Sequence, residues 1–167
     1  MQFEEIERYM EARALVGRKL RVTIVSALTG VRHPYIQKMW QEAHGASSIK
    51  GQLPASVHSF IKSANDAALV AGYTAFALSR GFEKDGTIED ALTAKLLAKS
   101  VEEYEWISQV HIDINMAYFA LRDVIARIVE WRRCTSCGAG HIYALDHYPL
   151  RLCPFCRLLD EQRARAA

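Results

Sequence analysis

The chain has 167 residues, half of them apolar and a tenth aromatic, with 21 Lys/Arg against 19 Asp/Glu and a net charge of +2. That is enough apolar material for a core in one domain, or one domain with a small appendage, and it excludes a chain too polar to fold. The longest obvious uncharged apolar stretch, Ala67 to Ser79, is too short to span hydrocarbon, and the acidic opening "MQFEEIERYM" lacks the apolar run of a secretory leader, so a cytoplasmic protein with no membrane partner is expected.

Charge is spread unevenly. Residues 13–50 carry seven Lys/Arg against Glu42 alone. Residues 81–130 carry five basic and ten acidic side chains, and residues 131–167 carry six Arg against three acids. Basic ends around an acidic middle fit a chain whose ends touch a polyanion, although chance clustering on a solvated surface gives the same pattern.

The first expected elements lie in residues 14–45, "ALVGRKLRVTIVSALTGVRHPYIQKMWQEAHG". They divide into a helix, a turn at "LTGV" and a second helix from about Pro34 to His44. Gly30 stands where a helix–turn–helix commonly places a glycine. Ile24, Val25 and Leu28 before the turn, Val31 within it, and Ile36, Met39 and Trp40 after it supply the apolar contacts. Small Ser26 and Ala27 stand where two helices would cross closely. Ala43 completes the expected inward face of the second helix. Proline is tolerated at a first helical position, so His33-Pro34 is a good helix start. The leading and outward residues are Arg32, His33, Tyr35, Gln37, Lys38 and Gln41, polar groups and an aromatic suited to phosphates and major-groove edges. An ordinary helical hairpin with a glycine cap has the same local signature.

A connector, "GASSIKGQLP" (45–54), precedes a helix expected over 56–80 with Phe60, Ile61, Leu69, Tyr73 and Phe76 as bulky packers. "GFEKDG" (81–86) is a loop. No Gly or Pro falls between Gly86 and Gly138, and apolar residues recur at helical spacing through Ile107, Val110, Ile114, Leu121, Ile125 and Val129. One very long helix, or two with a break, is expected from about Ile88 to Trp131, with Thr87 as N-cap and Asp90 three residues on. Asp113, Asp123 and Glu130, with His111 before them, lie on this stretch as a solvated face or an interface. There is neither a Gly-rich phosphate loop nor a His-Glu-x-x-His metalloprotease motif, and no enzyme is expected.

All four cysteines stand in "RRCTSCGAGHIYALDHYPLRLCPFC" (132–156), as two Cys-x-x-Cys pairs with fifteen residues between them. In a reducing compartment, two such pairs favour metal over disulfides. Two pairs on a chain that folds back give Cys134, Cys137, Cys153 and Cys156 as the tetrahedral shell of one structural Zn2+, with no open position for catalysis. A redox pair would need a strand-then-helix context that a preceding helix does not provide. His141 and His147 are rival ligands that a closed all-thiolate shell does not need. "HIYAL" (141–145), "DHYP" (146–149) and "LRL" (150–152) are expected to form a hairpin between the pairs. Arg132, Arg133, Arg151 and Arg157 stand close enough in sequence to offset thiolate charge. The expected fold is thus mainly α: a helical domain over 1–131 with a helix–turn–helix-like segment at 20–44, then a small four-cysteine zinc ribbon and short basic tail over 132–167.

Three stretches in order, "SALTGVRHPYIQKMWQEAHG" (26–45), "KGQLPASVHSF" (50–60) and the terminal cysteine segment, resemble the C subunit of the bacterial flagellar master regulator, the FlhC family of transcriptional activators. The resemblance covers roughly residues 13–157. It implies a DNA-binding subunit in a hetero-oligomer of two C-type and four D-type chains that binds double-stranded promoter DNA and activates transcription by RNA polymerase. It also implies one structural zinc per chain, on Cys134, Cys137, Cys153 and Cys156. The loop between the cysteine pairs is one residue shorter than the family's. Related activators of conjugative elements switch on transfer genes, and the sequence does not separate motility from transfer. The alternative is a zinc-ribbon scaffold that contacts RNA or RNA polymerase without reading DNA sequence.

Overall fold

The computed structural model describes residues 3–82, 92–143 and 153–166. The described residues are mainly helical, with seven α-helices and one two-stranded sheet. Two compact units divide the chain, and neither is contiguous: the first is Met1–Leu53 with Glu89–Asn115, the second Pro54–Ile88 with Met116–Ala167. This division differs from the expected boundary near residue 131. The cysteine segment shares a unit with two long helices instead of standing alone.

In the first unit, α1 (Phe3–Gly17), α2 (Val22–Thr29) and α3 (His33–His44) each pack on the other two. Buried Ala12, Leu15 and Val16 give α1 an apolar stripe at spacings of three and four, the period a packed helix needs. This helix begins ahead of the expected elements. The chain leaves it through Lys19, which adopts a left-handed φ of 65°. Asn115 clamps the turn that follows: its Nδ2 donates to Lys19 O at 3.1 Å and its Oδ1 accepts from Arg21 N at 3.0 Å. One side-chain amide thus satisfies the backbone of a turn that a helix cannot.

The α2–α3 turn is wired by small polar side chains. Thr29 Oγ1 donates to Val25 O and accepts from Val31 N, and Ser26 Oγ donates to Val31 O at 2.8 Å. Gly30 takes φ 68°, a conformation that costs a residue with a Cβ about 1–2 kcal/mol. Ile24, Val25, Val31, Ile36 and Trp40 are buried as expected, while Leu28 and Met39 are half-buried. Ala27 and Ala43 are exposed. Ala27 therefore does not lie at a close helix crossing, and Ala43 is not part of the inward face of α3. His44, on the last turn of α3, donates from Nε2 to Val16 O at 2.8 Å and fixes the end of α3 to the end of α1.

The expected 88–131 helix is two helices with a break. α5 (Ala94–Ser108) starts at Thr93, whose hydroxyl accepts from Leu96 N at 3.2 Å, and packs on α1 and α2. The expected Thr87 cap and the 83–86 part of the loop lie outside the described residues. α5 stops at Gln109, φ 55°, with no glycine or proline to announce it. The carboxylate of Glu105 holds the break: it takes Arg18 Nη1 at 2.8 Å, His111 Nδ1 at 2.6 Å and Ile112 N at 3.2 Å. Burial pushes its pKa up, but the bonds from Arg18 and Ile112 outweigh that, and the net shift is downward. Asp113 Oδ1 then accepts Asn115 N at 2.7 Å and caps α6 (Ile114–Ile125).

The second unit opens with a 3-10 turn (Val57–Phe60), followed by α4 (Ala64–Ala77) and a π turn (Leu78–Phe82), in place of one helix over 56–80. Ser63 caps α4 by accepting Asp66 N, and Asp66 accepts the Ser63 hydroxyl in return. Chiefly through that hydroxyl bond, the Asp66 pKa is held below its ordinary value. Asp123 is fully buried, not on a solvated face. Its carboxylate accepts Val57 N at 2.6 Å and pairs with Arg122, which also bonds Ala55 O. After α6 the chain forms β1 (Glu130–Arg133), antiparallel to β2 (Gly140–Tyr143), where helix was expected up to Trp131. The chain ends in α7 (Pro154–Ala166), a helix where a short tail was expected. α4 packs against both β2 and α7.

Candidate metal centre and the exposed face of the third helix

β1 and β2 are the two arms of a tight turn that carries the first cysteine pair. Cys134 follows β1 directly; its N–H donates to Ala139 O at 2.8 Å, and Gly138 N returns to Cys134 O at 2.9 Å. Gly138, at φ 74°, lets the chain double back. Register places Trp131 opposite Ile142 and Arg133 opposite Gly140. The Trp131 ring covers Gly140 so closely that a Cβ there would lie 2.2 Å from Cζ2. The second pair sits on a different element. Cys153 is the residue before α7, Pro154 takes the first helical position, and Cys156 lies in the first turn. Cys153 Sγ accepts Cys156 N at 3.4 Å, the bond a serine makes when it caps a helix. The expected ribbon of two turns is therefore corrected: the sulfurs come from one turn and one helix start. The "LRL" strand, the "DHYP" turn, His147 and Arg151 lie outside the described residues.

All four Sγ atoms lie within 4.8 Å of one another, with Cys137 and Cys153 3.4 Å apart and Cys134 and Cys156 4.0 Å apart. Sulfurs at ~2.3 Å from a tetrahedral ion would be about 3.8 Å apart, so the cage fits a metal. The four cysteines are free thiols, far from the ~2.05 Å of a sulfur–sulfur bond. Cys153 is buried, Cys134 and Cys156 are half-buried, and Cys137 is exposed. The backbone N–H groups of Cys137 and Ser136 pull the Cys134 pKa down to about 6, whereas hydrogen bonding with Cys137 and Cys153 pushes Cys156 up to about 12. Burial pushes Cys153 up. Four thiols this close resist joint ionisation, and a cation among them removes that resistance. Among the described residues, no histidine, Asp or Glu joins the group. Arg132 pairs with Glu130 and Arg157 with Glu161.

The structure places all six candidate DNA-contact residues in solvent. Arg32 stands just before α3; His33, Tyr35, Gln37, Lys38 and Gln41 are on it. They do not form one face. His33, Gln37 and Gln41 recur every four residues, with Lys38 beside them. Arg32 and Tyr35 instead line a hollow shared with α1, where the Tyr35 ring meets Tyr9 edge-on at 6.1 Å. No helix among the described residues is long and apolar enough to cross a membrane. No family model and no curated protein matches this chain.

Proposed function

We propose that this chain is the DNA-binding subunit of a hetero-oligomeric transcriptional activator of the FlhC type, acting in the cytoplasm. The observation that carries the proposal is α3. It is anchored by buried Ile36 and Trp40 against α1 and α2, yet holds His33, Gln37, Lys38 and Gln41 in solvent. A helix presented this way, after a short turn, suits the major groove. In this reading residues 20–44 are a helix–turn–helix, and the four cysteines bind one structural Zn2+ that fixes α7 to the β1–β2 turn. Exposed Trp106, Ile107 and Val110, 77, 54 and 46 % accessible, suit contact with the D-type partner in a complex of two C-type and four D-type chains. RNA polymerase is the further partner, and the regulated genes are those of motility or of conjugative transfer.

The test is a gel-shift of the chain with its D-type partner against promoter duplex, random duplex and RNA. Promoter duplex should win. Arg32→Ala and Lys38→Ala should each weaken binding, by about 1–3 kcal/mol if the residue reads a base. Promoter binding unmoved by both substitutions removes the helix assignment. RNA winning the competition favours the scaffold reading.

A further inference from the structure

The hollow between α1 and α3 has a composition that the sequence pattern does not suggest. It has a volume of about 260 Å³ and is lined by Glu5, Arg8 and Tyr9 of α1, by Gly30 and Val31 of the turn, and by Arg32 and Tyr35. Arg8 belongs to the acidic opening of the chain, outside the basic stretch at 13–50. The fold nevertheless lays it across the α2–α3 turn, with Arg8 Nη1 only 3.9 Å from where a Gly30 side chain would begin. Among the described residues, neither Arg8 nor Arg32 has an ion-pair partner. Arg8 spends one N–H, Nε, on the carbonyl of Glu4 at a long 3.4 Å. Two guanidinium groups from separate elements thus share one polar recess with two phenols and few acceptors to satisfy them.

A guanidinium is a planar fork of donors matched to the oxygens of a phosphate. Two forks at one recess, lined also by Tyr9 and Tyr35, suit a singly charged phosphodiester. Glu5, which lines the same recess, disfavours ligands of higher negative charge. We infer that Arg8, with Arg32 and Tyr35, forms a pocket for one backbone phosphate of duplex DNA beside the leading end of α3. The inference rests on the DNA-binding reading above and deepens it. The six candidates then separate by role, since Arg32 and Tyr35 hold the backbone while His33, Gln37, Lys38 and Gln41 face the bases. Backbone contacts fix register and carry no sequence information directly, so the two roles are experimentally separable.

The experiment measures binding of the full chain with its D-type partner by fluorescence anisotropy over a salt series. The probes are a duplex selected by the wild-type complex and a random-sequence duplex of equal length. Arg8→Gln should weaken binding to both probes by the same factor, about tenfold, and reduce the slope of log K against log salt by about one. A neutral methylphosphonate walked along the selected duplex should mark one position that weakens the wild type but not Arg8→Gln. Glu5→Gln, which removes the acid from the lining, should tighten binding to both probes a few-fold, and it tests the pocket even if Arg8→Gln does not fold. If the wild type binds duplex while both substitutions leave affinity and salt slope unchanged, the pocket is overturned and the DNA-binding reading stands. If Arg8→Gln affects only the selected duplex, Arg8 reads a base and the division of roles is wrong. If the wild type binds neither duplex, the DNA-binding reading fails and the pocket falls with it.

Discussion

Around α3, position is set by apolar side chains: Ile36 and Trp40 from the helix itself, Leu15, Val16 and Val25 from its neighbours, all buried. Around the cysteines, β2 and α7 pack on α4, and the four sulfurs are what bring the β1–β2 turn to the start of α7. β1 and β2 are four residues each, and their exposed residues include Arg132 and Arg133. A pair of strands this short is marginal in water. The contrast is between a helix held by a core alone and a turn joined to a helix start through four candidate ligand atoms. The first can be weakened gradually. With the proposed metal on the sulfurs, the second would be lost as a unit when the ion leaves, because binding free energy there would be folding free energy.

The largest effect should therefore come from the metal. Chelation, or Cys153→Ala, should release one metal equivalent per chain and abolish amide protection across 130–143 and 153–166, while α1–α3 stay protected. Structural zinc is worth ~10 kcal/mol or more of apparent free energy at neutral pH. A metal-free chain with that protection intact would place the cysteine region with the core-built one and end the contrast.

Next in size is the converse. Ile36→Ala empties a fully buried position under α3 and should cost about 2–5 kcal/mol in urea unfolding of the first unit, with metal content unchanged. Metal loss in that variant would show that the two regions do not fail separately.

The smallest effect is electrostatic and confined to the first unit. The Glu105 pKa is lowered in the fold. Its contribution is then present above the unfolded value, ~4.3, and lost as pH falls through the folded value. Melting temperature against pH should drop more steeply below pH ~4 in the wild type than in Glu105→Gln. Parallel curves would mean that Arg18 and His111 add nothing to the break after α5.

The first region was more legible than the second, for physical reasons. Apolar spacing and Gly30 located the turn and α3, expected over Pro34–His44 and found over His33–His44, but the helix expected from residue 14 is split at Lys19 into the end of α1 and the start of α2. The same spacing misled at 126–131, where strand β1 continues an apolar pattern compatible with helix. What makes it a strand is the closing of the cysteine turn and the ring of Trp131 over Gly140, both long-range to the local pattern. Gln109 was invisible as a helix end, since its left-handed φ is held by distant bonds to Glu105 rather than by glycine. α7 left a usable signal: Pro154 at a first helical position, then Leu, Glu, Gln, Arg and Ala, all good helix formers. The cysteine spacing announced a metal cage but not which elements would carry it. Arg8 could not be found from sequence at all, because only the packing of α1 brings it to the α2–α3 turn.

The interleaved connectivity of the two units also sets a timetable for a chain born N-terminus first. When α3 emerges from a ribosome, α5 and Asn115, which complete its unit, are still unsynthesised. At ~5–20 residues per second that interval lasts several seconds, and residues 54–88, which belong elsewhere, arrive within it. The second unit in turn waits for Cys156. A stop codon between residues 53 and 115 therefore leaves neither unit whole, and the apolar faces already made stay wet.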